Sequence, residues 1–175
     1  KRSGKMAIWT SRYSNKELLN DKKYYPVGIS IGKPRFPLGY KVREQCYSLA
    51  PKGYMLSMDL ERFTPAYYKK LADIGNDRII DMVERLEERA RSEGKELVLL
   101  CFEDIRIPSD WCHRTVFAQW WAEKTGEIIE ELYDPNQPKG KRKTKEDKKP
   151  VEKVKETNEG FEQMNLFDML GATGI

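Results

Sequence analysis

The chain has 175 residues, 34% of them charged, and a formal net charge of +4. That size suits one domain with an appendage, and no apolar run approaches the ~20 residues of a membrane span, which excludes an integral membrane helix. Between residues 134 and 160 nine Lys/Arg stand against six Asp/Glu, so most of the positive excess lies there. The remainder is close to neutral, which argues against bulk electrostatic binding of nucleic acid by the domain. Three cysteines without paired spacing do not make a disulfide framework and point to a reduced, cytoplasmic setting. Residues 1–5 are basic with no apolar stretch behind them, and read as a disordered start rather than a secretory signal.

Met6 to Thr10 is a short apolar run and a first strand, followed by the polar loop Ser11-Arg12-Tyr13-Ser14-Asn15. Lys16 to Asn20 has room for one helical turn. Tyr25 to Ile31 is a second strand, with Pro26 at its start where a missing N–H is tolerated. The Gly- and Pro-rich stretch from Gly32 to Tyr40 is a loop that brings Lys33 and Arg35 beyond that strand. Tyr40 to Met58 is poorly periodic and carries no assignment. Thr64-Pro65 opens a helix, a cap followed by Pro at the first helical position. Asn76 caps a longer helix from Asp77 to about Ser92, whose residues Ile79, Ile80, Val83, Leu86 and Ala90 recur at helical spacing; Gly94 ends it.

The most informative stretch is Leu97 to Trp121. The continuous run Leu97-Val98-Leu99-Leu100-Cys101-Phe102 suits a strand buried on both faces of a parallel sheet. Glu103 and Asp104 stop it, Pro108 breaks the loop, and Ser109 or Asp110 can cap a helix running to about Thr125. A last strand, Ile128 to Leu132, follows Gly126. The order β, β, α, α, β, α, β predicts an α/β fold, a three-layer Rossmann-like sandwich with a short, mainly parallel sheet. The domain spans 6–133, and no Gly-rich phosphate fingerprint is present.

Cys112, His113 and Arg114 fall in the first turn of the third helix, beyond a strand's carboxyl end, where ligands collect in open α/β sheets and unpaired amides favour anions. A helix N-terminus and nearby cations lower a thiol's pKa, which makes Cys112 a candidate nucleophile; the alternative is a small buried hydrophobe. His113 is then a proton carrier and Glu103 a base or orienting group. Both also suit structural roles. Arg12 and Arg35 follow two other strands, and convergence of these with Arg114 and Ser11 would clamp a phosphate or carboxylate; otherwise they are surface arginines. Cys101 reads as core packing. One His and three scattered Cys do not compose a tetrahedral zinc site, so neither a metal nor another cofactor is expected.

The stretch LLCFE…CHRTVFAQWW resembles the signature of the domain of unknown function 488 family, a strand ending in Cys-aromatic-Glu followed by Cys-His-Arg and a helix. IWTSRYSN, GISIGKPRF and LGYKVREQCYSLAP are similar to a branch common in bacteria and phages, and the resemblance covers roughly residues 6 to 133. Many members carry Asp-Val-Arg at the end of the second strand, where this chain has Ile29-Ser30-Ile31. The resemblance implies the fold and a pocket at Cys112, His113, Arg114 and Glu103 with the loop of Ser11 and Arg12, but no settled reaction.

Residues 134–160 contain almost nothing apolar except Val151 and Val154 and read as a charged flexible linker with ends roughly 30 Å apart. Hydrophobicity returns at 161–171. There Gln163-Met164-Asn165-Leu166-Phe167 resembles the bacterial sliding-clamp-binding pentapeptide Gln-x-x-Leu-Phe, with Leu166 and Phe167 as pocket anchors and the Gln163 amide at the rim; the alternative is a tail packing on its own domain. Together these readings predict a protein of DNA replication or repair, tethered to the sliding clamp. It binds, and in an enzymatic version processes, a phosphorylated nucleoside or nucleic acid, without membrane contact. The competing classes are a non-enzymatic adaptor for nucleic acid or protein and a small-molecule sensor unrelated to DNA.

Overall fold

The structure is a computed structural model, and it describes residues 6–138. The expectations for residues 1–5, for most of the linker and for the peptide at Gln163, Leu166 and Phe167 lie outside the described residues. Five strands form one parallel sheet: β1 (Ile8–Arg12), β2 (Tyr24–Gly28), β3 (Glu44–Gln45), β4 (Glu96–Cys101) and β5 (Glu130–Glu131), in spatial order β3-β2-β4-β1-β5. Three α-helices accompany them: α1 (Leu60–Ile74), α2 (Asn76–Ser92) and α3 (His113–Thr125). The α/β architecture with a parallel sheet is therefore the one expected.

The apolar run takes the central place because its neighbours bury both of its faces. Leu97 is in register with Ile8 of β1 and Tyr25 of β2, and Cys101 with Arg12. Leu97 and Leu99 pack with Phe63, Tyr67 and Leu71 of α1, with Ile79, Val83 and Leu86 of α2, and with Phe117, Trp120 and Trp121 of α3. Val98 and Leu100 face the other way, onto Tyr13, Leu18, Tyr24 and Leu132. All three α-helices thus cover one face. The third layer is thinner, made of a 3-10 turn at Lys16–Leu19, of Leu38 and Tyr40 from the Gly- and Pro-rich loop, and of Val42 just after it. Burying a Trp, Phe or Leu contributes roughly 1.5–3 kcal/mol each, so the helical face, with most of the large side chains, holds most of the stability.

Several boundaries differ from those expected, each for a local reason. α1 starts at Leu60 rather than at Thr64, because the Asp59 carboxylate accepts the Arg62 backbone N–H. Pro65 then lies inside the helix, on its exposed side, and leaves the backbone ladder one donor short. Gly75, at φ 109°, joins α1 to α2 in a conformation that favours glycine, so Asn76 is the first helical residue and not the cap. The stretch without assignment holds β3 and two 3-10 turns, Tyr47–Leu49 and Gly53–Ser57, too short to imprint a period. The domain also continues past the expected edge at Asp134: Asn136 donates to the Ser14 carbonyl at 3.0 Å and accepts Arg106 through its own carbonyl at 2.6 Å. Among the described residues no helix is long and apolar enough to cross a membrane.

Candidate functional site

The carboxyl tip of β4 meets the N-terminus of α3, and four side chains converge there. Strand alternation decides which: Leu97 and Leu99 face the helices, so Cys101, two residues on, faces them too. Cys112 occupies the N-cap of α3 in extended conformation, with no cap bond from its side chain. Its thiol instead lies 2.8 Å from Glu103 Oε2, and the Cys101 thiol lies 3.3 Å from the same oxygen. His113 Nδ1 faces both sulfurs, at 3.4 Å from Cys101 and 3.8 Å from Cys112. Cys101, Cys112 and His113 are buried, whereas Glu103 sits at the solvent edge with one oxygen turned back onto the thiols.

The imidazole is fixed from behind. Its Nε2 lies 2.8 Å from the carbonyl of Ile29, just past β2. A carbonyl only accepts, so Nε2 carries a proton and donates it, and Nδ1 is left toward the sulfurs. The Tyr67 ring packs edge-on against the imidazole at 5.9 Å. Because His113 is the only histidine, the chain has a single imidazole, and it is locked here.

The electrostatics separate the two thiols. Burial works to raise the Cys112 pKa, but its hydrogen bonds with Cys101 and His113 and the charge of Arg114 outweigh it and bring this thiol below its ordinary range. Cys101 moves the other way, through its hydrogen bond to Cys112 and its own burial. Glu103 is raised by burial and then by the adjacent Cys112 charge. The two thiols are thus driven apart, and Cys112 is the more readily ionised of the pair.

The arginines do not form the expected open clamp. Arg114 is fully buried and forks onto Glu131 of β5 at 2.9 and 3.1 Å; Glu131 also accepts the Thr10 hydroxyl at 2.8 Å. Its third nitrogen, Nη1, is buried with no hydrogen-bond partner among the described residues. Arg12 pairs with Asp134 at 2.6 Å and with Asp104 at 3.3 Å, and Arg106 closes the same network on both carboxylates. Ser11 is buried and accepts the Asn15 amide at 2.9 Å, which holds the β1 loop rather than a ligand. Arg35 is exposed on the loop beyond β2. Nearby carboxylates, which the spacing of the arginines alone did not reveal, thus neutralise Arg12 and Arg114.

Cys101 is buried among the core residues, as the sequence predicts, and the structure adds that its sulfur also joins the cluster. Its signal was its position: the last residue of β4, on the helix-facing side. The three cysteines are likewise not all scattered, since two of them meet His113 across the strand-loop-helix connection. Cys46 stands apart, with its sulfur 3.2 Å from Met82 Sδ.

No family model, curated protein or solved structure matches this chain.

Proposed function

We propose that the protein acts in DNA metabolism, where its C-terminal peptide tethers it to the sliding clamp and its Cys112 site binds and processes a phosphorylated nucleoside or nucleic acid. The observation that carries the site reading is the facing of Cys112 and Glu103 onto an imidazole whose free nitrogen is turned toward sulfur. In such a step Cys112 Sγ attacks phosphorus, its proton moves to His113 Nδ1, the P–O bond breaks and the leaving oxygen takes that proton. Water then displaces Cys112 from phosphorus, and its proton restores the thiol. The buried, unpartnered Arg114 Nη1 supports an anionic substrate, since it is a donor that an anion would satisfy. The likeness of the Cys-His-Arg stretch to the domain of unknown function 488 family agrees with a working site here, and the tether rests on Gln163, Leu166 and Phe167.

One observation favours an adaptor as the second reading: Cys112 is only 2% exposed, so a substrate reaches it only past Glu103. Alkylation of chelator-treated, reduced protein at pH 7 separates the two. A working nucleophile has Cys112 modified by iodoacetamide before Cys46 and Cys101, and more slowly after His113→Gln. Modification of Cys112 no faster in the native than in the unfolded chain removes the nucleophile and leaves the adaptor.

A further inference from the structure

Cys101 Sγ, Cys112 Sγ and His113 Nδ1 all lie within 4.8 Å of one another on buried residues. A tetrahedral ion bonded to sulfur at about 2.3 Å and to imidazole nitrogen at about 2.05 Å sets those two ligands about 3.6 Å apart. The two S···N separations here are 3.4 and 3.8 Å, so both edges already have the length an ion would impose.

The imidazole is also prepared as a ligand. A metal-binding histidine usually donates its other N–H to a carboxylate or backbone carbonyl, which fixes the ring and its tautomer. Ile29 provides that carbonyl at 2.8 Å. Glu103 Oε2, at 2.8 and 3.3 Å from the sulfurs, borders the cluster on its solvent side without joining the group of three. A tetrahedral oxygen lies about 3.5 Å from sulfur, so an ion at this place requires the carboxylate to withdraw from Cys112 by about 0.7 Å, and its exposure at the solvent edge permits that. Two thiolates and a neutral imidazole balance a divalent charge, and soft sulfur donors select zinc-like ions over magnesium or calcium.

We propose that Cys101, Cys112 and His113 bind one soft divalent ion of the zinc class, with the fourth position open toward solvent. Binding forms two metal–sulfur bonds and one metal–nitrogen bond, and releases the thiol protons to solvent with no change of oxidation state. The inference goes beyond the thiol chemistry proposed above: with the ion in place Cys112 is a ligand, and its nucleophilic role belongs to the metal-free protein.

The test is a titration of the chelator-stripped, reduced full chain with Co²⁺, followed by thiolate-to-cobalt charge transfer and by the d–d bands of tetrahedral cobalt. The expected result is saturation at one ion per chain, displacement by Zn²⁺, an unchanged spectrum in Cys46→Ser, and affinity lower by about 100-fold or more in Cys101→Ser, Cys112→Ser and His113→Gln. Octahedral bands, no saturation at one ion, loss of the signal in Cys46→Ser, or its survival in Cys112→Ser overturns the proposal. Should the variants fail to fold, X-ray absorption on the zinc-loaded wild-type chain decides: a shell of two sulfurs and two nitrogen or oxygen atoms supports the site, and any other sulfur count contradicts it. Neither readout depends on a substrate or on alkylation.

Discussion

Arg12 and Lys70 show how single buried cations serve this fold. Arg12 links the end of β1 to Asp104 and Asp134, both of whose side chains are only 8% exposed. Arg12→Met leaves two nearly buried carboxylates with Arg106 alone. We expect a loss of about 2 kcal/mol, the low side for a broken buried ion pair because Arg106 remains, read by urea unfolding at pH 7. Lys70 donates to the carbonyls of Ser48 and Ala50. Burial, and then the charge of Lys52, lower its ammonium pKa from 10.5 to about 8. Below pH 8 both states carry the proton and the native state bears the full cost of burying the charge. Between pH 8 and 10.5 the unfolded chain binds a proton that the native chain has lost, so this residue's contribution to stability rises with pH. The gain between pH 7.5 and 9.5 should be larger in wild type than in Lys70→Met; equal gains would show that Lys70 ionises normally.

At the scale of elements, the pair that matters is β4 and α3. The unbroken apolar run made β4 legible as the sheet's centre, and the Ile79, Val83, Leu86, Ala90 period made α2 legible to within one residue at its start. The third helix was placed correctly, but its cap was not. Neither Ser109 nor Asp110 caps it; Cys112 stands at the cap, and its side chain turns to Glu103 instead. β3 and the 3-10 turns between Tyr47 and Ser57 were illegible, because two to five residues cannot display a period. The site was partly legible for the same physical reasons. Cys112, His113 and Glu103 could be assigned to a strand tip and a helix start from local pattern. The Cys101 contact depended on reading strand alternation to its last residue, and the pairing of Arg12 and Arg114 depended on Asp134 and Glu131, which reach them from beyond α3.

Purified sliding clamp should bind the intact protein and lose most of that affinity on Leu166→Ala with Phe167→Ala, since adjacent apolar anchors dominate peptide docking of this kind. Equal binding of the two forms would end the tether while leaving the Cys112 site untouched. The folded region stands independently of that outcome, because its sheet and helices lie between Ile8 and Glu131.

The claim on which the site depends is the orientation of one imidazole, and the chain's single histidine makes it directly observable. A long-range ¹H–¹⁵N correlation spectrum of His113 in the reduced, metal-free protein reports which ring nitrogen bears the proton. The expected result is a protonated Nε2 held on the Ile29 carbonyl, and an Nδ1 resonance that shifts when Cys112 is replaced by alanine. A protonated Nδ1 with a bare Nε2, or a ring averaging between tautomers, would contradict it.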